Sequence, residues 1–159
     1  MRRFARILFV MTSNIQTRHA GTRDRRVFAE FDSLAGSDLA RRDLIDAAIA
    51  ARRCWVAEQA GKVVGYGVLT KNFFNRDFIE LMHVAEGARR NGAGSAPLSA
   101  IERAAHAGRI FTSTNESNAP MRALLERRGY AASGRIENLD PGDPELVFVK
   151  IISADGRKE

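Results

Sequence analysis

Six residues, Arg89-Arg90-Asn91-Gly92-Ala93-Gly94, constrain this chain more than any other stretch. They lie between an apolar run, Phe78-Ile79-Glu80-Leu81-Met82-His83-Val84, and a helix-patterned run from Ser95 to His106. The order is strand, tight turn, helix, with glycines at the helix entrance. Glycine there can adopt positive φ and lets a ligand approach the backbone closely. The first amides of a helix lack an internal partner, and the macrodipole adds partial positive charge at that end. Together these make an anion site, most often for phosphate or pyrophosphate. Arg89 and Arg90 add two full charges beside it. A phosphorylated ligand is the expectation.

Two common phosphate signatures fail. Gly87 to Gly92 has the glycine spacing of a P-loop, but Ala93-Gly94 stands where Lys-Ser/Thr is needed. A dinucleotide fingerprint requires a third glycine at the position of Pro97. What fits is R-x-x-G-x-G, which resembles the acyl-CoA pyrophosphate loop of the GNAT acetyltransferase superfamily. Downstream, Asn118-Ala119-Pro120-Met121-Arg122-Ala123-Leu124-Leu125-Glu126-Arg127-Arg128-Gly129-Tyr130 resembles that family's second conserved segment. Its local chemistry is helical: Asn118 can cap, Pro120 suits a first turn, Gly129 can close, and Arg127 and Arg128 complement the C-terminal dipole. Upstream, Ile15-Gln16-Thr17-Arg18-His19-Ala20 followed by Asp24 looks like the family's opening strand and first helix. The resemblance spans about Ile15 to Lys150.

The resemblance implies an α/β (α+β) single-domain GNAT fold, a mixed and mostly antiparallel central sheet flanked by helices. It further implies acetyl-CoA as co-substrate and direct attack of an amine on the thioester. The backbone of Met82, His83 and Val84 would hold the pantetheine arm and polarise the thioester carbonyl. Main-chain amides across Asn91, Gly92, Ala93, Gly94 and Ser95, with Arg89 and Arg90 beside them, would take the pyrophosphate. The Asn118 side chain would touch the pantetheine. Glu80 is the one carboxylate inside the central run and, at even spacing, shares a face with Phe78, Met82 and Val84. Many relatives carry a general base near this position, so Glu80 is the candidate base; the competing reading is a structural Glu bonded to a loop or an arginine. The family's frequent general-acid tyrosine falls at Leu125, which cannot protonate a thiolate. Tyr130 reads as a packing residue, Tyr66 is a weaker alternative acid, and water is another.

The remaining organisation follows from periodicity. Arg23–Leu34 and Asp38–Arg53 read as helices, the first with Val27, Phe28, Phe31 and Leu34 on one face. Trp55–Glu58 and Val63–Leu69 read as strands of a hairpin turning at Ala60-Gly61. Lys71–Asp77 reads as a polar loop. A strand at Arg109–Ser113 and two last strands, about Tyr130–Ile136 and Leu146–Ile151, complete the order. Residues 15–152 form the expected domain, with 1–14 an extension, Met11 a candidate start, and 153–159 a polar tail. The loop from Glu137 to Glu145 carries Asp140, Asp143 and Glu145. Such acids can attract a cationic amine toward Glu80, or simply bond their own turn.

Bulk properties restrict the alternatives. A chain of 159 residues, 45% hydrophobic and 28% charged, suits one domain with an ordinary core. The single cysteine, Cys54, excludes an internal disulfide and reads as a buried thiol; no Cys/His cluster has metal spacing, so no metal is expected. No apolar run approaches the roughly 18 residues of a membrane helix, so no membrane partner is expected and the cytosol is the expected location. The net charge of +6 invites a nucleic-acid reading, but no aromatic interleaving or nucleic-acid motif accompanies the arginine pairs. A basic surface also suits the phosphates of coenzyme A. The expected partner is a small-molecule or peptide amine, with no nucleic acid, and a homodimer is compatible with the family. Competing readings are transfer of a longer acyl group, a non-catalytic acyl-CoA sensor, and a basic nucleic-acid-binding module.

Overall fold

Seven strands pair into one sheet: β1 (Ile15–His19), β2 (Cys54–Gln59), β3 (Lys62–Phe73), β4 (Arg76–Val84), β5 (Gly108–Asn115), β6 (Ala131–Ile136) and β7 (Glu145–Ile152). Their spatial order is β1-β2-β3-β4-β5-β7-β6. Every neighbouring pair is antiparallel except β4 and β5. Parallel neighbours require a crossover, and here it is a 3-10 turn at Glu86–Ala88, the glycine loop and helix α4 (Ser95–Ala104). The other helices are α1 (Asp24–Phe31), α2 (Ser33–Ser37), α3 (Leu39–Ala50) and α5 (Ala119–Arg127). The computed structural model describes residues 14–106 and 108–153. The expectations for Met1–Val10, for a start at Met11 and for most of the C-terminal tail lie outside those residues.

The sheet is covered on both faces. On one side Leu98 and Ile101 of α4 and Leu125 of α5 pack with Trp55, Leu69, Ile79 and Ile110. On the other, Phe28, Ala35, Ile45 and Ala48 of α1, α2 and α3 pack with Cys54, Val56, Tyr66 and Val68. Cys54 is a free, fully buried thiol whose pKa burial pushes up to about 12. Pro97 is the third residue of α4, where its missing N–H removes no intrahelical bond.

Three expectations change at the level of elements. The helix read over Arg23–Leu34 ends at Phe31, because Asp32 is extended and its carboxylate accepts from the amides of Leu34 (3.1 Å) and Ala35 (3.4 Å). That cap starts a separate short helix and leaves Leu34 exposed rather than on the buried face. The Lys71–Asp77 loop is instead a hairpin tip. β3 continues to Phe73, which stacks on Phe78 at 5.1 Å, and Phe74 and Asn75 turn with φ of 49° and 58°. A two-residue turn with both φ positive matches the twist of the flanking strands. The third change is on β4. Val68 pairs with Leu81 but Leu69 pairs with Ile79, so Glu80 is an extra residue, a β-bulge. Ile79 and Met82 consequently pack toward the same helices, while Leu81 packs against the opposite cluster. Phe78 and Met82 therefore lie on opposite faces, and the even-spaced set read from the sequence does not share one.

Candidate active site

The crossover between β4 and β5 creates the opening that a ligand needs. These strands pair over three positions only, Asp77–Ile110, Phe78–Phe111 and Ile79–Thr112. Thr112 then donates its hydroxyl to the Ile79 carbonyl at 3.0 Å and closes the paired segment. Beyond it β4 continues through Glu80 to Val84 without pairing to β5, while β5 stays paired to β7 on its other edge from Gly108 to Asn115. Met82, His83 and Val84 line this gap with main chain on the side away from β3.

The glycine loop sits at the end of the gap. Arg90 (φ 67°) and Gly92 (φ 85°) both take the left-handed conformation, and Ala93 is buried against Ala57 and Ala88. That buried methyl seats the loop so closely that a Cβ on Gly65 would lie 3.2 Å from the Ala93 carbonyl. A Cβ on Gly94 would meet Leu124 Cδ2 at 3.2 Å. No side chain caps α4 at Gly94, so its first turn, beginning at Ser95, keeps its positive end open to a ligand. Arg90 and Asn91 are exposed beside it, and Arg89 bonds the Val84 carbonyl through Nε at 3.4 Å. Asn118 lies at the start of α5 and caps it, accepting from the Met121 amide at 3.3 Å. Open amide donors, glycines at close approach and two arginines form a donor set suited to a pyrophosphate.

Around Glu80 the chemistry comes from distant segments. Asn72 of β3 donates to Glu80 Oε2 at 2.7 Å, fixing a partly exposed carboxylate at the bulge. His83 is held through its ring: Nε2 lies 3.0 Å from the Phe31 carbonyl and so carries the proton, and Nδ1 lies 3.7 Å from Asp32 Oδ2. Asp32 is the hub of this group. It accepts from the Tyr66 hydroxyl at 2.5 Å and pairs with Arg41 at 2.8 Å. Burial pushes its pKa up, but those partners outweigh it and hold the carboxyl below its ordinary value. Tyr66 is committed to that bond, and burial followed by Asp32 raises its pKa far above the usual phenol. Leu125 is fully buried in the core, and Tyr130 is buried with its pKa raised by burial. Leu125 has no proton to give, and the Tyr66 hydroxyl is committed to Asp32.

Asp140 and Asp143 lie in the β6–β7 loop and tie it to the β5–α5 connection. Asp140 accepts from Asn115 Nδ2 at 2.8 Å, and Asp143 accepts from the Ser117 amide (2.9 Å) and hydroxyl (2.5 Å). Their carboxylates therefore bond a neighbouring connection rather than their own turn, which is closed by the main-chain bond from the Asp143 amide to the Asp140 carbonyl at 3.2 Å. Several contributors went unread: Asn72, Asp32, Arg41 and Gly65. Asp32-Ser33 carried a capping signal inside a helical run, and Gly65 inside a strand run signals close backbone approach.

The family model described as Acetyltransferase (GNAT) family matches residues 22–130, more than half of the chain. The chain belongs to the GNAT acetyltransferase family. Among solved structures, a GNAT-family acetyltransferase from Bacillus cereus ATCC 10987 is 31% identical with a TM-score of 0.79, covering 87% of this chain and 97% of that one. Ard1 from Thermoplasma volcanium shares the fold at 19% identity and TM-score 0.74, covering 87% and 97%. The yncA protein of Salmonella typhimurium, solved with its cofactor acetyl-CoA, does so at 19% identity and TM-score 0.71, covering 92% and 99%. A comparison with curated proteins returns no match. GNAT membership makes this an acyl-CoA-dependent acetyltransferase, and the loop at Gly92–Ser95 fits that donor's pyrophosphate chemically. No helix among the described residues is long and apolar enough to cross a membrane.

Proposed function

We propose that the protein is a cytosolic N-acetyltransferase that moves acetyl from acetyl-CoA directly onto a primary amine of a small molecule or peptide. The observation that carries this reading is the three-pair limit of β4–β5, which leaves main chain from Glu80 to Val84 facing a gap that ends at the glycine loop. In this reading the amides near Gly92–Ser95, with Arg89 and Arg90, hold the pyrophosphate. The Met82–Val84 backbone aligns the pantetheine and polarises the thioester carbonyl, and Asn118 bounds the same arm. The amine nitrogen bonds the carbonyl carbon, the carbon–sulfur bond breaks, and the amine's proton passes to Glu80 directly or through a water. The thiolate takes its proton from solvent, since Leu125 replaces the family's tyrosine and Tyr66 is committed to Asp32. Asp140 and Asp143 act on a cationic amine through their field; both oxygens of Asp143 and one of Asp140 are already bonded.

Coenzyme A release from acetyl-CoA, measured against small amines, aminoglycosides and peptide N-termini, tests this. At least one amine should release thiol in step with its own acetylation. The buried Leu125 favours one second reading, an acyl-CoA sensor. Tight acetyl-CoA binding by calorimetry with no thiol release from the whole panel would favour the sensor.

A further inference from the structure

Three acids and two threonines are buried among the described residues: Asp24, Asp32, Asp77, Thr112 and Thr114. Four of them are bonded inside the fold. Asp24 holds Arg18, Asp32 holds Tyr66 and Arg41, Asp77 holds Lys71 and His106, and Thr112 donates to the Ile79 carbonyl. Thr114, only 8% exposed, is the exception: its hydroxyl has no hydrogen-bond partner among the described residues. A buried donor without a partner costs stability, and valine has the same shape without that cost. The fold by itself gives no reason for a hydroxyl here.

Its place on β5 supplies one. Thr112 pairs with Phe148 and Thr114 with Leu146, so both threonines share the face that carries Phe148 against α4 and α5. Thr112 makes the last pair with β4 and bonds the Ile79 carbonyl at 3.0 Å. Thr114 stands two residues further, about 7 Å along the strand, where β4 no longer pairs with β5. Because the strands are parallel, it lies across the gap from the stretch that follows Ile79. That is the closed end of the gap, and the glycine loop, which follows Val84, is the other. Tyr130 also carries a buried unbonded hydroxyl, but it lies under Lys150, which pairs with Ile110 where β4 and β5 are still joined.

We infer that Thr114 is a catalytic residue of acetyl transfer, its hydroxyl donating a hydrogen bond to the coenzyme A sulfur as the carbon–sulfur bond breaks. The inference rests on the acetyl-CoA reading proposed above. With the pyrophosphate at the glycine loop and the amine's proton passing to Glu80, the pantetheine arm runs toward the closed end and brings its sulfur beside Thr114. The amine nitrogen bonds the carbonyl carbon, and the electron pair of the broken bond goes to sulfur. Thr114 keeps its own proton throughout and stabilises the thiolate until solvent protonates it. The role is one that Leu125 cannot fill and that Tyr66, held by Asp32, is not free to fill.

Titration of the thiol of bound coenzyme A, followed by ultraviolet thiolate absorbance against the desulfo-coenzyme A complex, tests the inference without any amine. Cys54 does not interfere, because burial pushes its pKa up to about 12. Thr114→Val exchanges the hydroxyl for a methyl and should lower the bound thiol's ionisation constant roughly tenfold. Thr114→Ser, which keeps the hydroxyl, should stay within about threefold of wild type. Thr114→Val should also melt no lower than wild type, since the hydroxyl has no partner in the fold. Equal titrations in all three proteins would overturn the inference. So would a Thr114→Val chain that binds coenzyme A more weakly with its titration unchanged, which assigns the hydroxyl to the arm, or one that melts several degrees lower, which makes it structural. A wild-type chain that does not bind coenzyme A would overturn the acetyl-CoA reading and this inference together. The expected titrations with no amine acetylated would uphold Thr114's bond to sulfur and strike amine transfer alone.

Discussion

The two ends of the gap between β4 and β5 are built by opposite means. At the glycine loop, binding chemistry comes from consecutive residues and mostly from main chain: two left-handed residues, a buried Ala93 and an uncapped helix start. Around Glu80 and His83, chemistry comes from side chains supplied by β3, the α1–α2 junction and α3. Main-chain geometry tolerates exchange of side chains provided the turn survives. An assembly of side chains from distant segments fails when one member changes. The proposed phosphate end should thus be sensitive to glycine and robust elsewhere, whereas the proposed acceptor end should be sensitive to single side chains.

The largest effect is expected at Glu80. Glu80→Gln keeps an oxygen for Asn72 to bond, so the bulge should hold while the proton acceptor is lost. A general base contributes about 10²- to 10⁴-fold. The variant's kcat should fall within that range, with acetyl-CoA affinity unchanged. A loss below about threefold would return Glu80 to the structural reading.

Legibility divides along the same line. The strand-turn-helix around Gly92 could be read because its signals are adjacent in sequence, and the element order could be read because period and capping residues are local. The bulge at Glu80 could not. Simple alternation put Phe78 and Met82 on one face, but packing of both Ile79 and Met82 against the α4 side forces an extra residue into β4. Nothing adjacent to His83 announces Asp32, which reaches it only after α1 folds onto the sheet. Asp143 was visible as a turn residue, but its hold on Ser117 depends on two connections meeting in space.

The second effect tests the main-chain end. Gly94→Glu puts a carboxylate and a Cβ where the pyrophosphate is proposed to lie, with Leu124 Cδ2 only 3.2 Å from that Cβ. Coenzyme A affinity by calorimetry should drop at least about a hundredfold, some 2.7 kcal/mol. Unchanged affinity would move the site away from this turn.

Asp32→Asn comes next and breaks the hub of the side-chain end. Tyr66 can still donate to the amide, but Arg41 loses its ionic partner. A loss of about 2 kcal/mol in unfolding free energy is expected. The pH dependence has a definite sign. Asp32's folded pKa is depressed, so its contribution is present above the unfolded value near about 3.9 and is lost as pH falls through the folded value. The gap between wild type and variant should be widest near neutrality and close in acid. A constant gap down to pH 2 would mean that the charge is not what matters.

The smallest effect separates the two roles of Asp143. Its carboxyl is held below its ordinary value by the Ser117 hydroxyl and amide, so its structural contribution also fades as pH falls through the folded pKa. Asn at this position keeps an acceptor for one Ser117 bond and most of the turn chemistry, removing only the charge. If the loop acts on a cationic acceptor through its field, Asp143→Asn should raise that acceptor's KM roughly two- to fivefold, the reach of one exposed charge. The salt dependence of kcat/KM should shrink with it, while kcat stays the same. A KM that matches wild type, with equal salt dependence in both proteins, would leave Asp143 as a clamp between two loops. A change in kcat without a change in KM would point instead to a shift of the β5–α5 connection carrying Asn118 toward or away from the gap.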